Sequence, residues 1–317
     1  MRVGKWTTLA TIRPALVASP RIAVYGAIAA NIAIAITKFA VAAITGSSAM
    51  LSEGIHSAVD TGNGILLLIG TRLAERPATP EHPFGHGKEL YFWSLIVAVL
   101  IFGLGGGLSV FEGLQHIVDP EPIRDAKWNY FVLAAAALFE GASFTVALRI
   151  FLRTKGERPF WRALHASKDP ATYTVLAEDA AALAGLAVAA IGIFISHRFG
   201  VPEADGAASL VIGGILAGVA VLLIREARGL LIGEGIRADT AAAIRGLLDA
   251  HPLVRRVGPL LSMYIGADQV LLTLDAEFDP NASAADIATA IRELEAAIRR
   301  RFDKITRIYI EAVPAAR

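Results

Sequence analysis

The chain has 317 residues, of which 55% are hydrophobic and only 19% charged, with a mean hydropathy of +0.54. Soluble domains carry about 25% charged residues, so this composition excludes an ordinary soluble two-domain protein and describes one that lives in a lipid bilayer. The formal net charge of +1 makes no case for a nucleic-acid partner, and the absence of cysteine excludes disulfides, thiolate metal sites, iron–sulfur clusters and thiol nucleophiles.

Residues 1–20 lack a compact apolar stretch and contain Arg2, Lys5, Arg13 and Pro14, which makes them a cytoplasmic lead-in and not a cleavable signal. Six apolar segments follow, at 21–44, 48–71, 90–117, 128–149, 172–196 and 206–225. Each meets the length of about 20 residues that a helix needs to cross a hydrocarbon core of about 30 Å. Together they predict a six-helix transmembrane domain over 21–228. The orientation follows from the basic residues. Arg2, Lys5, Arg13, Arg21, Arg72, Arg76, Lys88, Arg149, Arg153, Lys155, Arg158, Arg162, Lys168, Arg225 and Arg228 fall on one side, and only Arg124, Lys127 and Arg198 on the other. Positive residues stay cytoplasmic, so both termini are expected there.

From about residue 232 the texture changes. A helix is predicted at 239–250, strands at 254–265 and 270–278, a helix at 283–302 and a strand at 305–312. The helices place Ile244, Leu247 and Leu248, and Ile287, Ile291, Leu294 and Ile298, at helical spacing, while the intervening runs are β-branched and aromatic. An αββαβ order with two helices over one sheet face is an α+β sandwich, expected over 232–313 and able to pair across its open face.

Charged groups within a bilayer are costly, and each is a functional hypothesis that needs a named partner. In the second span, Glu53, His56 and Asp60 fall on one helix face, with Asn63 continuing the stripe. An imidazole and a carboxylate about 6 Å apart on one face are half of a tetrahedral divalent-metal site. The fifth span carries Glu178 and Asp179, and the fourth carries Glu140. At 1.5 Å per residue, Asp60 and Glu140 both lie roughly 18 Å below the outer ends of their helices. Four acids and one histidine sharing a layer require a cation, protons or both for balance. Glu53 has two readings of equal weight, metal ligation or an ion pair with Lys38. Glu140 is divided between proton handling and helix packing.

The string SSAMLSEGIHSAVDTGNGILLLIG, the loop HPFGHGKEL, six spans and the αββαβ tail resemble the cation diffusion facilitator (zinc transporter) family over nearly the whole chain. KDPATYTVLAEDAAALAGL is similar to the subgroup that includes an animal mitochondrial zinc transporter. The resemblance implies a homodimeric antiporter that exports Zn²⁺ from the cytosol in exchange for protons, with a ferredoxin-like C-terminal dimerisation domain. It also implies a transport site made of one four-residue pair on span two, matched by His56 and Asp60, and another on span five. The second pair departs from the family: four residues before Asp179 stands Val175, which cannot ligate metal, leaving Glu178 or a water as the fourth ligand. An oxygen-rich His/Asp/Asp/Glu set also admits Mn²⁺, Fe²⁺ and Co²⁺.

Glu81, His82 and His86 in the loop after span two are weaker metal candidates. Some family members use an acid three residues before the first histidine, where this chain has Thr79, and a structural loop is the favoured reading. Gly103 with Gly107 and Gly214 with Gly218 have the small-xxx-small spacing that permits close helix approach. Nothing resembles an enzyme centre or a resident cofactor site. The competing functional reading is a non-transporting relative that acts as a metal-responsive membrane scaffold, and the expected location is a bacterial inner membrane.

Overall fold

The computed structural model describes residues 20–155, 159–160 and 170–314. The lead-in at 1–19, and Arg158, Arg162 and Lys168 of the basic set, lie outside the described residues. The helical part comprises α1 (Pro20–Thr45), α2 (Ser48–Ala74), α3 (Glu89–Leu100), a π-helical segment (Ile101–Gly107), α4 (Leu108–Val118), α5 (Lys127–Thr154), α6 (Pro170–Phe199) and α7 (Glu203–Ile232). Their limits follow the apolar segments to within seven residues, the largest difference being at the end of α7. Among the described residues, four stretches are long and apolar enough to cross a membrane: Glu89–Val118, Lys127–Arg153, Tyr173–Phe199 and Glu203–Ile232. The first runs through α3, the π segment and α4 as one rod. The helix α2 is long enough, but it carries the charged stripe that lowers its hydropathy.

Helix α7 is the hub of the bundle, with Ile212, Leu216, Ala220 and Leu223 each no more than 1% exposed. It packs closely on α4, and glycines make the approach possible. A Cβ on Gly113 would lie 2.7 Å from the Gly206 carbonyl oxygen, and one on Gly213 would lie 2.9 Å from that of Gly106. Both distances are below real Cβ contacts, so backbone meets backbone at two points seven residues apart on each helix. The glycine pairs picked out by spacing are different ones. Gly103, Gly214 and Gly218 have nothing within 4 Å of a built Cβ, and Gly107 meets only the carbonyl of Phe102. The spacing of those pairs permits close approach, and among the described residues no other helix takes it up; spacing alone does not say which glycine face meets a neighbour.

The C-terminal region contains α8 (Ala238–Asp249), β1 (Val254–Gly266), β2 (Gln269–Phe278), α9 (Ala284–Arg301) and β3 (Ile305–Val313). The element order is therefore αββαβ, as the pattern predicts. The sheet order is β1-β2-β3, with β1 antiparallel and β3 parallel to β2. Along β2, Val270, Leu272, Leu274 and Ala276 alternate into a core closed by Ile244 and Leu248 of α8 and by Leu294 and Ile298 of α9. Ser283 caps α9 through a capping box with Asp286. The β1–β2 end meets the helical part: the Tyr264 amide donates to the Glu234 carbonyl at 3.0 Å, Lys88 Nζ lies 3.6 Å from Met263 Sδ of β1, and Gly87 abuts Ile265.

Candidate functional site

The site is built on α2. Helical geometry stacks residues three and four apart, and His56 Nε2 lies 3.4 Å from Asp60 Oδ2. His56 is 2% exposed and Asn63 fully buried, so the stripe faces the bundle interior. Glu53, on the same stripe, is taken by α1: Lys38 Nζ donates to Glu53 Oε2 at 2.9 Å and to Ser57 Oγ at 2.8 Å, with both charged side chains at 0% exposure. A Cβ on Gly185 of α6 would collide with Glu53. Of the two readings of Glu53, the ion pair is the one observed.

Helices α5 and α6 supply the facing wall. Asn63 Nδ2 donates to Glu178 Oε1 at 2.8 Å, and Ser143 Oγ of α5 donates to Asp179 Oδ2 at 2.9 Å. Glu178, Glu140, Asp179 and Lys38 lie near enough to Asp60 to bear on its charge. Each carboxylate from α6 is thus held by an uncharged hydrogen-bond donor on a different neighbouring helix. Val175, four residues before Asp179 on α6, is 37% exposed. No three His, Asp or Glu side chains among the described residues stand close enough together to hold a metal. His56 and Asp60 are drawn together, while Glu178 and Asp179 are tied to α2 and α5 separately.

In the loop after α2, the His82 and His86 rings lie 4.5 Å apart between centroids, and His86 Nδ1 is 3.2 Å from the Pro77 carbonyl oxygen. Thr79 exchanges backbone hydrogen bonds with His82, both at 3.1 Å. Glu81 is exposed.

Two polar clusters escaped sequence reasoning. Ser143 lies three residues after Glu140 in α5, but a lone hydroxyl carries no signal of its own. Asp205 is fully buried at the end of the bundle opposite the C-terminal domain, accepting hydrogen bonds from Ser47 Oγ at 2.9 Å, the Ser48 amide at 2.6 Å and the Ala49 amide at 3.3 Å. An acid one residue before an apolar span reads as interfacial, and only the packing of α7 on α2 takes it inside.

Residues 24–232 match the family described as the cation efflux transmembrane domain. The proton-coupled zinc antiporter SLC30A9, mitochondrial, of Xenopus laevis is 37% identical over 74% of this chain and 42% of its own length. Its Homo sapiens counterpart is 35% identical over 76% of this chain and 43% of its own length. The magnetosome protein MamM of Paramagnetospirillum magneticum is 28% identical over 90% of this chain and 85% of its own length. The chain thus spans less than half the length of the two antiporters it matches. The chain belongs to the cation diffusion facilitator family of membrane transporters and is a multi-pass integral membrane protein.

Proposed function

We propose that the protein exports divalent transition-metal cations from the cytosol in exchange for protons, with Zn²⁺ as principal cargo. In this reading α1 to α7 form six membrane spans over 21–228, both termini are cytoplasmic, and the host is a bacterial inner membrane. Residues 232–313 form a ferredoxin-like unit that pairs two copies into a homodimer. The observation that carries the reading is the His56–Asp60 pair on α2, with Asn63 of the same helix donating to Glu178 of α6. His56 and Asp60 supply two ligands, Asp179 the third, and Glu178 takes the place left by Val175.

Exchange follows from ligand chemistry. Imidazole must be unprotonated and carboxylates ionised to bind metal, so loading releases protons and reprotonation releases metal. Asn63 and Ser143 hold the two carboxylates of α6 until the cation draws them in. The test is a metal panel on purified protein in proteoliposomes with a pH dye inside. Asp60→Ala and Asp179→Ala are each expected to abolish metal-driven proton flux, and intact flux in either overturns the site. The dispersed arrangement of the α6 carboxylates and the loss of a ligand at Val175 favour one rival, a non-transporting metal-responsive scaffold. Wild-type vesicles that move no metal, with a membrane complex that assembles only with metal, would establish that rival.

A further inference from the structure

The outer end of α2 is held by another helix. The first N–H groups of a helix have no intrahelical partners and carry its positive dipole end. Here the Ser48 and Ala49 amides donate at 2.6 and 3.3 Å to Oδ2 of Asp205, which comes from the first turn of α7. The Ser48 hydroxyl donates to the same oxygen at 3.2 Å, and the Ser47 hydroxyl donates to Oδ1 at 2.9 Å. This carboxylate therefore sets the axial position of α2, the helix that carries His56 and Asp60.

One titratable side chain faces that oxygen. His116, in the last turn of α4, is 9% exposed, and its Nε2 lies 3.9 Å from Asp205 Oδ2. That nitrogen is buried and has no hydrogen-bond partner, a costly arrangement for a polar atom. His116 also lines a cavity of about 830 Å³ that Glu112, Asp119 and Glu121 border together with Ser47 and Ser48. The imidazole therefore stands between an acid-rimmed cavity and a buried carboxylate. Other charges on the surrounding elements are Lys38 and Glu53, which pair with each other, Arg124, whose amide donates to the Thr45 carbonyl, Asp125 and Lys127, which pair with each other, His197 and Arg198 at the exposed end of α6, and Glu203 on α7. Among the described residues, none of these makes a hydrogen bond to Asp205.

We propose that His116 and Asp205 form a proton-operated latch on the outer end of α2, separate from the metal-binding pair. With the imidazole neutral, Asp205 grips the amides of α2. A proton from water in the cavity adds to His116 Nε2, which then donates to Asp205 Oδ2 and competes with the Ser48 and Ala49 amides for that oxygen. The competition loosens α2 and lets the helix shift relative to α7. Histidine is the side chain whose ordinary titration spans pH 5 to 8, the range in which a proton-driven exchanger works.

The latch extends the proposed proton coupling, yet its direct readout needs no transport. Hydrogen–deuterium exchange on the full chain in nanodiscs, without metal, would follow peptides covering residues 46–52 from pH 8 to pH 5, scaled to intrinsic exchange rates. Wild type is expected to lose about tenfold in protection as the pH falls, the size expected when a hydrogen bond to a charged group is given up. His116→Gln should hold its protection across the range, and Asp205→Asn should be poorly protected throughout. Wild-type protection that does not change with pH overturns the latch without any variant, as does a His116→Gln protein that tracks wild type. In vesicles, His116→Gln should carry zinc with a flattened dependence on outer pH. Wild-type vesicles that carry no zinc refute the transport reading and leave the exchange result standing.

Discussion

Lys38 and Glu53 are each completely enclosed and form an ion pair with one another. Two buried charges attract strongly in a poorly polarisable interior, but each has lost its hydration, so the pair is worth little net while half of it is a liability. Lys38→Met is therefore expected to destabilise the bundle by about 3–5 kcal/mol, because Glu53 would be left charged and alone. The double variant Lys38→Met/Glu53→Gln should recover most of that loss, as read from thermal melts in one detergent. A double variant no better than the single would mean that the pair does more than balance charge. Glu53 was legible as an anomaly in the sequence, since an acid inside an apolar run is conspicuous. Its partner was only one of two readings, because the choice depends on how α1 rotates against α2.

At the scale of elements, α4 and α7 meet through Gly113 and Gly206, where a methyl group on Gly113 would come within 2.7 Å of a carbonyl oxygen. Overpacking of this kind costs about 1–3 kcal/mol, so Gly113→Ala should lower the melting temperature, whereas Gly214→Ala, which has open space around it, should not. Equal melting temperatures would show that the interface relaxes freely. Helix α9 offers a pH-dependent case outside the membrane. The Ser283 hydroxyl and amide both donate to Asp286 Oδ2, at 2.6 and 3.0 Å, and these bonds hold the carboxyl below its ordinary range, the side-chain bond most. A lowered native value contributes stability above the unfolded value and loses it as pH falls through the native one. The gap in stability between wild type and Asp286→Asn should accordingly be present at neutral pH and close in acid, as followed by the melting of the C-terminal domain. The helices and strands themselves were legible because periods of 3.6 and 2 are local properties. The contact glycines were not: Gly103 and Gly107 have the same spacing signal as a real contact, and only packing distinguishes them.

For the whole molecule, one sheet face of the C-terminal domain is covered by α8 and α9, and the other presents Leu261 and Tyr309, exposed by 66% and 54%. Leu261 pairs with Thr273, which pairs with Tyr309, so the two lie in one row across the open face. The proposed homodimer predicts that Leu261→Glu combined with Tyr309→Glu shifts the protein toward monomer in light scattering, without unfolding the domain. An unchanged dimer would move the interface elsewhere.

Some properties of this chain are consequences of composition and of helix and strand geometry alone. Its membrane class, the order of its apolar spans, the αββαβ tail and the pairing of His56 with Asp60 all belong here. The pairing is legible because residues four apart on a helix meet whatever surrounds them. Other properties depend on which faces of different helices touch, and at what height: Lys38 for Glu53, Asn63 for Glu178, Ser143 for Asp179, and Asp205 at the end of α2. These partners lie from 15 to 157 residues apart in the chain. No local period relates them, so only the packed bundle could decide them.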